Sequence, residues 1–490
     1  MSGLQRGLSD PTCGGLLPLI TERESTGAIR DAATPQWLSR VELREQALSL
    51  AATLSSGDRA LAFVIGDNRI ATVVAILAAR AAGHAVALIA PDLAAVRLQR
   101  LIAGYQPEFI LSSSPWLDDG SAGRYGPSIA SSGSWFDPPY VAKRLDAPAG
   151  GINADLAVML STSGTTGSAK FVRLSTAAIT ANAAQIVKAL MIRSNDIAIA
   201  HLPVSYSYGL SVITSHLRVG AAVYLTGESI VRPEFWAAIR AVGGTHFPGV
   251  PFHYNFLARS DLAKQVPGTV RTLTQAGGAL ERRIQDRIHD FAQQRGAQFF
   301  VMYGQTEAGP RMTTLPDHCF AEKRGSVGHA LDGATIRIED VDHNAVPAGV
   351  EGAVVFDGPN VMMGYAEQRS DLVKGDENGG RLETGDLGRI DGDGFLTITG
   401  RIKRVAKLAG LRISLDEVEA RLRETATAAV LDHGEKIVVF CEDPVLIKGS
   451  VVALSGEWRV PGSSFVIRGI EHLPVRDSGK IDYEQLRGLI

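Results

Sequence analysis

Leu156-Ala157-Val158-Met159-Leu160-Ser161-Thr162-Ser163-Gly164-Thr165-Thr166-Gly167-Ser168-Ala169-Lys170 joins an apolar run to a segment dense in hydroxyls and glycines. Its apolar opening, Leu156 to Leu160, predicts a strand that runs straight into a loop of hydroxyls and glycines. Glycine lets a backbone come close to a phosphate, and successive inward N–H groups make an anion nest. Ser163, Thr165 and Thr166 add hydroxyl donors, and Lys170 adds a mobile positive charge. A Walker loop needs G-x-x-x-x-G-K-[ST]; here only Thr165 and Thr166 separate Gly164 from Gly167. On spacing alone, phosphate binding and a flexible polar turn both fit.

On the N-terminal side, Leu43, Ala47, Leu50 and Leu54 recur at helical spacing within Val41 to Leu54. Ala60 to Ile65 predicts a strand, residues 70–82 an Ala-rich helix, and Ala85 to Ile89 another strand. That order predicts a parallel sheet with crossover helices. Residues 1–40 read as an irregular arm, and 112–150, rich in Ser, Gly and Pro, as a loop passage between two halves. On the C-terminal side a second α/β half is expected. It has a helix over 176–190, a strand over Asp196 to Ala200, and the segment Leu202 to Leu210. Ile284, Ile288 and Phe291 mark a helix face before the strand Gln298 to Met302, which puts Tyr303 at a strand's carboxyl end, where α/β sheets bind ligands. Past 330, short strands and Gly/Asp turns predict a small β-rich subdomain, and 401–490 a smaller α/β lobe.

Composition narrows the class. At 490 residues, two or more domains are expected. A formal net charge of −3 favours neither nucleic acid nor anionic lipid as a partner. Cys13, Cys319 and Cys441 lie far apart, with no metal-ligand spacing and no disulfide framework, which suits a reducing cytoplasm. Met1 to Arg6 precede no apolar core of a signal peptide, and the longest apolar run, Ala71 to Ala79, is too short to span a bilayer. The expectation is a soluble cytoplasmic protein without a membrane span.

Three further segments stand in order behind the loop: Tyr303-Gly304-Gln305-Thr306-Glu307, then Thr384-Gly385-Asp386 with Gly400-Arg401, and finally Gly479-Lys480. Together they resemble the adenylate-forming superfamily of acyl- and aryl-CoA synthetases, adenylation domains and firefly luciferase. The resemblance covers about residues 40–490. Ala169 stands where that family's loop usually has proline, which keeps every polar group.

The resemblance implies an N-terminal AMP-binding domain, 1–400, and a mobile C-terminal lobe, 401–490, carrying a catalytic lysine. It implies that Ser163, Gly164, Thr165, Thr166, Gly167 and Lys170 grip the phosphates of ATP, with Thr166 a catalytic contact. Gly277-Gly278-Ala279 would let backbone approach the base, and Tyr303 would offer it a flat face, within Tyr303, Gly304, Gln305 and Thr306. Asp386 would hold the ribose, Arg401 the ribose or a phosphate, Glu307 the magnesium ion, and Lys480 the carboxylate and α-phosphate as they meet. Alone, Glu307 is an ordinary loop acid, Asp386 a turn acid and Lys480 a solvated charge. The interval from Glu419 to Lys480 is shorter than is usual in that family, which puts contacts to a CoA nucleotide in question.

The acyl group is expected against Tyr206, Gly209, Phe247 and Val250. Leu202 to Leu210 holds no acid to pair an α-ammonium, which disfavours amino acids. Lys403 falls at the family's hinge, with Lys407 and Gly410 on the thiol's side. The implied reaction joins a carboxylic acid to a thiol through acyl-AMP, using ATP and Mg2+. The acceptor is CoA or the phosphopantetheine of an acyl or peptidyl carrier protein. A kinase-type enzyme and a non-catalytic nucleotide-binding protein are the rival classes.

Overall fold

The computed structural model describes residues 28–113, 125–126, 129–130, 139–146, 148, 150–161, 170–402, 404–408, 411–434, 436–458, 460–476 and 481–490. Two eight-stranded sheets form the larger body. In the first, Leu61–Ile65 pairs in parallel with Ala85–Ile89 and Phe109–Ser112, and Ala85–Ile89 with Leu156–Ser161. The second runs parallel from Ile29–Asp31 through Ala222–Leu225, Ile197–Ala200, His246–Gly249 and Thr272–Gln275 to Gln298–Tyr303. Antiparallel strands Thr313–Leu315 and His329–Ala330 close its edge.

One apolar core joins the two sheets through the helices Ile70–Ala81, Thr176–Leu190 and Ser207–Val219. Ile70–Ala81 is buried from Ile70 through Arg80, as expected for a helix whose neighbours cover every face. Its first N–H donates to Asp31 Oδ2 at 3.0 Å, a carboxylate well placed at a helix N-terminus. A four-stranded antiparallel sheet of Thr335–Glu339, Gly352–Asp357, Arg381–Ile390 and Leu396–Arg401 follows. Beyond it, Ala428–His433, Lys436–Cys441 and Phe465–Gly469 form a sheet packed by Leu415–Arg423 and Pro444–Glu457 around a separate core that includes Val418, Val439 and Val451.

The α/β class and the predicted strand and helix positions hold to within a residue or two at their ends. Three expectations change. Residues 29–31 form an edge strand, although three residues carry too little periodicity to announce one. The passage 112–150 contains the strand Tyr140–Lys143, paired antiparallel with Phe109–Ser112. The boundary between halves also moves: Leu156–Ser161, Phe171–Ser175 and even Gly364–Ala366 belong to the first sheet, so the hydroxyl loop leaves the first sheet, not the second.

The second sheet and the helices beside it bury several histidines. Burial pushes His216 down to about 3 and His246 and His253 down to about 4. His216 and His246 meet edge to face, with ring centroids 5.0 Å apart. An unfolded chain would protonate each near its ordinary value of about 6.5. Between about 4 and 6.5 the unfolded state therefore binds more protons, so their contribution is complete above about 6.5 and is lost as pH falls. Melting temperature measured from about pH 7 down to about pH 4.5 should fall steadily, with an uptake of roughly two to three protons on unfolding. A flat profile across that window would contradict the buried neutral state of these rings.

Candidate active site

Strand Gln298–Tyr303 ends at the carboxyl edge of the second sheet, and the short helical turn Thr306–Ala308 follows it. Gly304 leaves no room for a side chain, because a Cβ there would lie 1.8 Å from the Pro310 carbonyl oxygen. The chain thus folds back tightly and points Tyr303 and Gln305 at Asp386. The Tyr303 hydroxyl donates to Asp386 Oδ2, and Gln305 Nε2 donates to the same oxygen at 2.9 Å and to the Thr384 carbonyl at 2.8 Å. Arg401 Nε faces the other oxygen at 3.0 Å, with most of its side chain in solvent. Burial and the neighbouring Asp386 raise the Tyr303 hydroxyl well above the usual phenol range, so it stays a donor. Asp386 thus already accepts from three side chains and has limited room left for ribose hydroxyls.

Glu307 lies in the same turn. Its Oε1 accepts from the Tyr365 hydroxyl at 3.0 Å. Gly364–Ala366 pairs antiparallel with Phe171–Ser175, which sets Tyr365 opposite Val172 and beside Lys170. Lys170 Nζ sits 3.4 Å from the centre of the Tyr365 ring, a close cation–π contact. Tyr365 therefore joins the last residue of the hydroxyl loop to the acid at the end of the second sheet. Thr306 pairs with Ser207, hydroxyl to hydroxyl, at 3.1 Å.

The opposite wall forms where Tyr206 and Val250 meet Gly277. Gly277 has φ +85°, and a Cβ there would fall 2.8 Å from the Tyr206 hydroxyl and 3.1 Å from Val250 Cγ1. Gly278 gives its carbonyl to Gln275 Nε2 at 2.7 Å, and Ala279 is exposed. Two expected wall residues are elsewhere. Phe247 is wholly inside the core, stacked with His201 and Trp236, so it backs the wall without lining it. Gly209 is buried against the chain's own backbone: a Cβ would lie 2.1 Å from the Pro203 carbonyl oxygen, so its smallness serves helix packing.

Ser163, Gly164, Thr165, Thr166, Gly167, Lys403, Gly410 and Lys480 lie outside the described residues. Lys407 is placed only by its backbone, in the hairpin of Val405–Leu408 with Leu411–Ser414. Next to the expected hinge, Arg404 ties into the lobe, donating to Glu419 at 3.0 Å and the Val430 carbonyl at 2.9 Å and lying over the Tyr483 ring. Tyr365 and Arg311 lie outside every motif quoted from the sequence. Arg311 lies four residues past Glu307, and a lone cation between Pro310 and Met312 was the available signal.

The structure is thus a two-sheet α/β body with acid, phenol and amide groups gathered past the carboxyl end of Gln298–Tyr303, where such sheets bind ligands. The chain belongs to the AMP-binding enzyme family, whose model matches residues 21–366. It is 30% identical over 293 residues to a 4-coumarate–CoA ligase of Humulus lupulus, covering 57% of this chain and 53% of that protein. It is 29% identical over 317 residues to the 2-succinylbenzoate–CoA ligase of Bacillus cytotoxicus, covering 64% and 60%. The chain thus spans little more than half the length of these curated relatives. Among solved structures, the o-succinylbenzoate CoA synthetase of Bacillus subtilis with its acyl-adenylate intermediate superposes with a TM-score of 0.74 over 98% of each chain. ATP-bound MatB of Rhodopseudomonas palustris superposes with 0.76 over 97% of this chain and 98% of its own. Both are 22% identical and show a common fold. Among the described residues no helix is long and apolar enough to cross a membrane.

Tyr365→Phe tests the bridge. It removes the hydrogen bond to Glu307 while keeping the ring under Lys170. A hydrogen bond to a charged group contributes about 1.5–3 kcal/mol to stability, so melting temperature should fall by a few degrees, while turnover, measured where the variant is fully folded, should fall by about tenfold or more. Unchanged turnover would mean that Tyr365 does not orient Glu307.

Proposed function

We propose that this chain is an ATP-dependent acid–thiol ligase. It would join a carboxylic acid to ATP as acyl-AMP with release of pyrophosphate, then pass the acyl group to a thiol. The observation that carries this reading is the convergence at one sheet edge of Tyr303, Gln305 and Asp386 with Glu307, itself linked through Tyr365 to Lys170 at the foot of the hydroxyl loop. Little covalent work falls to the protein in such a reaction; holding the carboxylate and phosphorus in line and neutralising charge do most of it.

The donor set fits the groups the reaction needs. Among the described residues no three His, Cys, Asp or Glu side chains gather to cage a metal. A lone hard carboxylate, Glu307, suits Mg2+, which is usually held by one or two carboxylates together with substrate phosphates. Bound there, the ion would supply positive charge to the leaving pyrophosphate. Ser163 to Gly167 with Lys170 would hold the phosphates, Gly277 to Ala279 and Tyr303 the base, and Asp386 and Arg401 the ribose. Within the division 1–400 and 401–490, the lobe would bring Lys480 to the carboxylate and α-phosphate. Turning about Lys403 would then expose the Lys407 and Gly410 side to the thiol.

CoA is the acceptor we favour, because the named relatives are CoA ligases. The phosphopantetheine of a carrier protein is the second reading. A panel of acids in ATP–pyrophosphate exchange, followed by thioester assay with CoA, tests the assignment. Acids without an α-amino group should drive exchange, CoA should be consumed, and AMP rather than ADP should accumulate. Exchange with amino acids alone, or ADP release, would reject the proposal. Lys480→Ala should reduce acyl-adenylate formation by about a hundredfold or more, the scale of losing one contact to developing charge, and leave ATP binding in place. Near-normal adenylation would remove Lys480 from the chemistry.

A further inference from the structure

Arg311 carries a charge that the protein itself does not neutralise. The residue is 2% exposed, and its Nε and Nη1 are buried without a hydrogen-bond partner. Its backbone is well held: the Arg311 carbonyl accepts from Asn182 Nδ2 at 2.9 Å and Asn360 Nδ2 at 3.0 Å. Its guanidinium carbon lies 4.3 Å from the centre of the Tyr208 ring. Among the described residues no carboxylate reaches it, and the groups that favour its charge are the Tyr208 and Tyr206 hydroxyls.

Arg80, also deeply buried, leaves only its Nε unpartnered and donates to the His84 carbonyl and the Thr176 hydroxyl, and two other buried arginines are answered by carboxylates. Arg173 meets the carbonyls of Tyr365, Met363, Lys374 and Gly375 and the carboxylate of Glu377. Arg369 meets Glu108 and the carbonyls of Tyr105 and Gln106. A guanidinium cannot shed its proton to escape burial, and a ring face offsets only part of the cost of an ion held out of water.

The surroundings of Arg311 are those of the candidate pocket. Tyr206, one of the two tyrosines it faces, forms the wall with Val250 and Gly277. Arg311 also influences His216, one of a pair of buried polar rings. His216 bonds Val212 through Nδ1 and leaves Nε2 unpartnered, and His246, 5.0 Å away, also has an unpartnered Nε2. Burial, His246 and, to a smaller extent, Arg311 hold His216 neutral, so these imidazoles add no positive charge of their own. The region presents one uncompensated cation and a polar lining behind an apolar and phenolic wall.

We infer that Arg311 forms the distal end of the acid-binding pocket and that the substrate is a carboxylic acid bearing a second carboxylate, remote from the one that is activated. This rests on the ligase reading above and names its substrate class. The second carboxylate would accept from the unpartnered guanidinium N–H groups and cancel the buried charge. A purely apolar tail would leave that charge unpaired and bury it further, and a neutral hydroxyl would satisfy an N–H without cancelling it. The two carboxylates then have different fates: one is consumed in the mixed anhydride, the other stays ionised against Arg311.

The test compares dicarboxylic acids of graded length with their monomethyl esters in ATP–pyrophosphate exchange by the native protein. At the best length the diacid should exceed its monoester at least about tenfold in kcat/KM, the effect of one ion pair. Arg311→Met should reverse that ratio, losing about a hundredfold or more with the diacid and gaining with the monoester; Arg311→Lys should keep the native order. ATP binding and melting temperature report whether each variant folds, and the native comparison decides the matter without them. Monoesters or simple monocarboxylic acids outperforming every diacid would overturn the Arg311 assignment and leave the ligase reading intact. No exchange with any acid would overturn the ligase reading and this inference with it.

Discussion

Asn68 holds the two sheets to each other, and the candidate site depends on that alignment. It sits just past the first-sheet strand Leu61–Ile65, yet all its recorded side-chain hydrogen bonds are to the second half of the body. Nδ2 lies within 3.0–3.1 Å of the carbonyls of Ala200, Leu202 and Thr226, and Oδ1 accepts from the Val204 N–H at 3.0 Å. These bonds fix the segment that leaves Ile197–Ala200 and leads into Ser207–Val219, the helix that carries Tyr208 and His216. These bonds add a polar tie to the apolar core that already joins the two halves, and they pair backbone groups that would be costly to bury alone.

With the halves locked, groups from both meet at one edge. The first sheet contributes Lys170 and, through a strand added from residues 364–366, Tyr365; the second contributes Tyr303, Gln305 and Glu307. The antiparallel sheet beyond them brings Asp386 and Arg401, paired across neighbouring strands. Each contact is ordinary in strength. Their value lies in pre-set geometry, since donors already aimed at a reacting group need not reorganise when charge develops.

Charge balance separates structural from functional cations here. Arg173 and Arg369 are buried and fully answered by carbonyls and carboxylates, so they staple loops to the first sheet. Arg401 answers Asp386 and stays largely in water. Arg311 is buried against the Tyr208 ring with no carboxylate among the described residues and with Nε and Nη1 unpartnered, which leaves it able to take an anion from outside the chain.

Much of the architecture was legible in the chain itself. Apolar runs such as Ala85–Ile89 and the helical spacing of 176–190 predict their elements because local periodicity mirrors one-sided or complete burial. The motif residues Tyr303, Gln305, Glu307 and Asp386 were legible only through the resemblance of their ordered motifs to a known family, since each alone reads as an ordinary turn or loop residue. Which residues meet across the chain is settled by packing. Nothing in Gly364-Tyr365-Ala366 announces a strand of the first sheet, and nothing near Arg311 says that no acid will face it. Phe247 and Gly209 read as pocket residues until packing turned one into the core and the other onto a backbone carbonyl. Sequence pattern determines which face of an element is buried; partners 58 to 264 residues apart are set by packing and by the demand that buried polar groups be paired, and neither is a local property.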